Sequence, residues 1–187
     1  MRIRLRAIAE DEILAGASSG RNILGLMIDR VSTAEQHSGL VYLDFEHVEV
    51  ATASFLRESV LEFKNLVRRR WANCYPVVAN VNQSILEELM VLVRTNRDVL
   101  VYCTLDSNDR PKDQRVLGEL EAKQQIAFDL ITREKEADAS ELMELASTES
   151  VSKNAWNNRL ATLCRIGLVM QCAQGRSKRY QRLPIGD

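Results

Sequence analysis

A chain of 187 residues, 45% hydrophobic and 27% charged, has the composition of a globular protein and room for two small domains or one medium one. Its net charge of −1 excludes a molecule that is basic throughout, so any nucleic-acid contact must come from a local excess of Lys and Arg. Cys74, Cys103, Cys164 and Cys172 form no C-x-x-C pair and keep no ligand spacing with His37 or His47, no apolar run approaches a membrane span, and Met-Arg-Ile-Arg-Leu-Arg at the start lacks a signal-peptide core, so reduced thiols, no zinc, no other cofactor, no membrane contact and a cytoplasmic location are expected.

In chain order, Arg2 to Ile8 alternates Ile3, Leu5 and Ala7 and predicts a strand. The small residues from Ala15 to Gly20, before Arg21, could cradle a phosphate, but they lack the lysine and spacing of a P-loop; they read as the start of a helix over 21–31. Leu40 to Phe45, Tyr75 to Ala79 and Asp98 to Cys103 are short, apolar and rich in β-branched or aromatic residues, as buried strands are. Between them Ser54 to Arg70 (Phe55, Val60, Leu61, Phe63, Leu66, Val67) and Ile85 to Val93 (Ile85, Leu89, Leu92, Val93) recur at helical spacing. This alternation predicts an α/β domain with a sheet of about four strands and helices. Arg68 to Arg70, before Trp71, suit the negative end of a helix. Asp11, Glu12, Asp44, Glu46 and Glu49 supply carboxylates, yet no Ser, His or Cys joins them in a nucleophile-and-base pattern, and no catalytic residue or enzyme activity is expected. Turn formers and Pro111 between Leu105 and Gln114 read as a linker, which divides the chain into domains over 1–104 and 116–187 with 105–115 between.

Beyond the linker, Leu117 to Arg133 carries apolar residues at 120, 126, 127, 130 and 131, and Asp138-Ala-Ser-Glu141 is a capping-box start for a short helix over Ala139 to Ala146. A third helix runs from Ser152, an N-cap, to Gly167, a left-handed stop, with Trp156, Leu160 and Leu163 on one face. Lys153, Asn154, Asn157, Asn158 and Arg165 fall largely on other faces, where they can bond base edges or phosphates. Leu168 to Cys172 and Lys178 to Leu183 then read as a hairpin around a turn at Ala173 to Ser177. Residues 151–187 hold seven cations (Lys153, Arg159, Arg165, Arg176, Lys178, Arg179, Arg182) against Asp187, whereas residues 117–150 hold nine acidic residues against three basic ones. Such polarity suits phosphate contact on one side only, although an Arg-rich hairpin also serves as a solvated edge that deters strand pairing.

Two resemblances follow. Val41-Tyr-Leu-Asp-Phe-Glu-His-Val-Glu-Val-Ala-Thr-Ala-Ser-Phe-Leu-Arg-Glu58 and Val77-Val-Ala-Asn-Val81 resemble the STAS family of anti-sigma-factor antagonists over roughly 16–103. That resemblance implies a protein-binding or sensing domain whose strand aspartate is Asp44. It also implies a serine at a helix N-terminus that a partner kinase of ATPase type phosphorylates. Here the family's Asp-Ser-Ser-Gly positions read Thr52, Ala53, Ser54 and Phe55, with alanine at the acceptor; Thr52 or Ser54 is the remaining phosphoacceptor, and Ser54 as a plain helix N-cap is the more economical reading. Asn158-Arg-Leu-Ala-Thr-Leu-Cys-Arg-Ile-Gly-Leu-Val169 with Gly175-Arg-Ser-Lys-Arg-Tyr180 resembles the winged helix-turn-helix of bacterial transcription regulators, a small α+β domain. It implies double-stranded DNA as partner, a recognition helix in the major groove and a wing on the backbone. The DNA-contacting set is Ser152, Lys153, Asn154, Asn157, Asn158, Arg159, Arg176, Lys178 and Arg179. Two half-sites give usable specificity, so a homodimer is expected. The alternative is a partner-switching protein in which both domains bind proteins and DNA is never touched.

Overall fold

Runs of β-branched and aromatic residues make the strands, and amphipathic segments between them make the helices that pack into a shared core with the sheet. The computed structural model describes residues 1–34, 39–146, 151–174 and 177–183 of a mixed α/β protein. It divides into two units, Met1–Glu119 and a second that begins at Leu120. The first unit runs β1 (Arg2–Arg4), α1 (Leu5–Ala9), β2 (Ile13–Leu14), α2 (Ala17–Ser32), β3 (Gly39–Asp44), β4 (Val50–Ala51), α3 (Ala53–Leu56), a π-helical turn (Arg57–Leu61), α4 (Glu62–Arg70), β5 (Cys74–Ala79), α5 (Gln83–Asn96), β6 (Leu100–Leu105) and β7 (Pro111–Leu117).

The central sheet has five strands in the order β1-β3-β5-β6-β7, parallel except for the last pair, and β2 pairs with β4 in a separate two-stranded parallel ribbon. Helix α2 packs on the helix formed by α3, the π turn and α4, and α3 packs on α5. Ile3, Val41, Leu43 and Val78 from the strands meet Met27, Phe55, Phe63 and Leu89 from the helices in one core. Gly20 lets α2 approach closely, because a Cβ there would lie 2.8 Å from the Phe55 carbonyl oxygen. Buried Lys64 on α4 donates to the Asp98 carboxylate and, at 2.7 Å, to the Val99 carbonyl, tying that helix to the start of β6.

Three expectations change. The sheet has five strands rather than four, because β7 is an added edge. The N-terminal strand stops at Arg4, and Leu5 opens a helix whose Leu5, Ile8 and Ala9 pack into the core. Residues 105–115 are no free linker: Asp106 accepts from the Asn108 and Arg110 N–H groups at 2.8 and 2.9 Å, the chain reverses, and Pro111 pairs with Leu105.

The second unit runs α6 (Ala122–Glu134), β8 (Glu136–Ala137), α7 (Ala139–Leu145), α8 (Lys153–Arg165), β9 (Val169–Gln174) and β10 (Ser177–Arg182). Its strands form an antiparallel sheet in the order β8-β10-β9. Trp156, Leu160 and Leu163 of α8 are fully buried together with Ile131 and Leu142, and α8 packs on α6, α7 and β9. The first of these helices begins at Ala122 rather than near Leu117, since Leu117 closes β7 and Gly118 turns the chain at φ +98°. No helix among the described residues is long and apolar enough to cross a membrane.

Candidate nucleic-acid interface

Helix α8 is fixed at both ends by its sequence. The Ser152 hydroxyl accepts from the Ala155 N–H at 3.3 Å, so this residue acts as a cap. At the other end Gly167 takes φ +85° and donates to the Cys164 carbonyl at 3.0 Å, while Leu168 donates to Leu163 at 3.0 Å, the paired bonds of a Schellman ending. With Trp156, Leu160 and Leu163 buried, the opposite ridge carries Asn154, Asn158, Ala161 and Arg165, all exposed. Lys153 is exposed in the first turn, and Asn157 lies half-buried on the flank.

The cations expected to contact DNA divide into two groups. Lys153 and Lys178 are exposed. Arg159 is half-buried with its guanidinium 4.5 Å from the Trp156 ring centre, a stacked arrangement that holds the charge against an aromatic face. Arg179 of β10 donates to Glu136 at 2.6 Å and to Glu141 at 3.0 Å. Those two hydrogen bonds raise its pKa, and its charge is spent within the unit, joining β10 to β8 and α7. Arg176 lies outside the described residues.

Glu141 has a double duty. Its side chain accepts from the Asp138 N–H at 2.8 Å, while Asp138 accepts from Ser140 and Glu141 N–H groups at 2.7 and 3.0 Å, completing the expected capping box. Both carboxyls are held below their ordinary range, Asp138 chiefly by the Glu141 N–H and Glu141 by the Asp138 N–H and then by Arg179. Glu134, Glu136, Glu141 and Glu144 line one acidic cleft. The capping box is written in the local sequence, but the bonds to Arg179 cross about 40 residues and no spacing foretells them.

In the first unit, Asp44 is wholly buried at the end of β3. It accepts from Arg2 Nε at 2.8 Å, Asn80 Nδ2 at 2.7 Å and the Glu46 N–H at 3.1 Å. Arg2 continues to Glu46 at 2.7 Å and to Asp109. Burial, and then the Asp44 charge, push the Cys103 thiol up to about 12, and burial pushes Tyr42 likewise to about 12. Of the two residues expected as phosphoacceptors, Thr52 rather than Ser54 is the N-cap: its hydroxyl accepts from Phe55 N–H at 3.4 Å and Gly16 N–H at 3.2 Å. Ser54 Oγ lies 3.2 Å from that hydroxyl in the first turn. Nearby in sequence, Ile13 and Val50 stand side by side on β2 and β4, 52% and 42% exposed. Among the described residues no three His, Cys, Asp or Glu are placed to hold a metal ion.

No protein-family model matches this chain, nor does any curated protein.

Proposed function

We propose that this chain is a cytoplasmic transcriptional regulator: a winged helix-turn-helix, from α6 to β10, binds operator DNA under the control of a STAS-like first unit that senses a signal or binds a protein. The observation that carries the reading is the order helix, strand, helix, helix, hairpin closed by the β8-β10-β9 sheet, with α8 presenting a polar ridge, uncharged until Arg165, away from its buried Trp156. Exposed Lys153 and Lys178 supply phosphate contacts, and two copies on paired half-sites supply the specificity. We assign no enzymatic step.

The test is selection of fragmented genomic DNA by the full-length protein, followed by salt titration on the recovered sites. Enrichment of a palindromic site whose binding is weakened by Lys153→Glu and Lys178→Glu is the expected result. Weak, uniform recovery that disappears at physiological salt, unchanged by either variant, overturns it.

A second reading, protein partner-switching without DNA, is favoured by the adjacent exposed Ile13 and Val50 and by Ser54 in the first turn of a helix. A phosphate on Ser54 would meet free N–H groups there, and an ATPase- or kinase-type partner would be its source. Under this reading Ser54→Asp alters partner capture while DNA recovery stays absent.

A further inference from the structure

Resting on the DNA reading above, we propose that α8 selects duplex sites holding two A·T pairs about two base steps apart, read by Asn154 and Asn158. The ridge opposite the buried stripe runs Asn154, Asn158, Ala161, Arg165, at steps of four, three and four residues, so these side chains project in one direction. Asn154 and Asn158 are exposed, and their side chains make no hydrogen bond to any described residue, which leaves each carboxamide its donor and its acceptor.

The chemistry of the groove decides what such a pair recognises. Adenine shows an acceptor at N7 beside a donor at N6, the complement of one carboxamide. Guanine shows two acceptors and cytosine a lone donor, so neither satisfies both atoms of the amide. Four residues of α-helix advance about 6 Å and one base step about 3.4 Å, which sets the two adenines about two steps apart for a helix lying along the groove. Ala161 follows about 4.5 Å further on and offers only a methyl group, which suits the thymine C5-methyl. The first two turns of this ridge carry no charge, so it is matched to base edges rather than to phosphates; the exposed cations Lys153 and Lys178 lie off it.

The experiment is selection from a random duplex library by the full-length protein, the Asn154→Ala protein and the Asn158→Ala protein, followed by competition with single base-pair replacements. Wild type should enrich two A·T pairs within about three consecutive positions. Replacing either by G·C should weaken its binding roughly 5- to 150-fold. Each variant should lose the preference at one of the two positions and keep it at the other, with thermal stability not lowered, because both side chains are exposed and Ala is the stronger helix former. If wild type enriches a site without those A·T pairs, or if both variants keep the wild-type preference, this inference falls while DNA binding stands. If the wild-type protein enriches nothing and its binding vanishes at physiological salt, the DNA reading falls and the inference with it.

Discussion

At Asp44 one carboxylate joins β1, β3, the turn after β3 and the residue that follows β5, through Arg2, the Glu46 N–H and Asn80. Its full burial means that water cannot replace it when it is removed. Asp44→Ala would leave the Arg2 and Asn80 donors facing an apolar hole, and a loss of about 3–5 kcal/mol in urea unfolding is expected, as for breaking a buried pair. Asp44→Asn keeps one acceptor oxygen and should cost less. A loss under about 1 kcal/mol for the alanine variant would mean that the cluster contributes little net stability. Arg179 and Lys178 make a parallel contrast on neighbouring positions of β10. Because Arg179 is bound by Glu136 and Glu141, Arg179→Ala should lower the midpoint of thermal unfolding slightly. It should leave the salt dependence of DNA binding nearly as it was. Exposed Lys178 should behave the other way, Lys178→Ala reducing the slope of log K against log salt by about 1. Equal slopes for both variants would show that the ion pairs of Arg179 open on binding.

Helix α2 offers a test of packing against propensity within one element. At Gly25 nothing lies within 4 Å of an added Cβ, so Gly25→Ala should stabilise by up to about 1 kcal/mol. At Gly20 the same methyl meets the Phe55 backbone oxygen, and a separation of α2 from the helix below costs about 1–3 kcal/mol, more than the propensity gain. Opposite signs in thermal unfolding are the expected outcome. Helix α7 has a pH signature. Asp138 and Glu141 titrate below their ordinary values, so their contribution is complete above the unfolded carboxylate range near pH 4 and is lost as the pH falls through the folded values. Glu141→Gln should flatten that acid limb in a pH series of unfolding curves. These elements also show what a sequence discloses. The cap at Ser152, the stripe of Trp156, Leu160 and Leu163, and the capping box at Asp138 are local patterns, and α8 and α7 form within two residues of where they predict. Strand β7 is hidden because an edge strand of Pro-Lys-Asp-Gln-Arg composition exposes most of its side chains and reads as a loop until its partner β6 is known. The turn into α1 is hidden because Leu5 fits a period of two as well as a helix start. Which cations of the hairpin remain available is not local at all, since Glu136 and Glu141 settle it from other elements.

Across the whole molecule, the near-zero net charge conceals a strongly basic segment from Val151 onward. That distribution makes the salt dependence of binding a measure of how many chains engage. Lys153, Arg165 and Lys178 are exposed in each chain, while Arg159 is stacked on Trp156 and Arg179 is paired. Three phosphate contacts per chain give a slope of about −3 for one chain on duplex DNA and about −5 for two. Fluorescence anisotropy on a selected site between about 50 and 200 mM salt separates these values, since affinity would fall by about 40-fold in the first case and by about 2,000-fold in the second. A slope near −5 with two chains per duplex would support the paired half-site arrangement. A slope near −3 with one chain per duplex would leave a monomeric reader whose specificity rests on α8 alone, and a slope shallower than about −1 would mean that these cations do not meet phosphates.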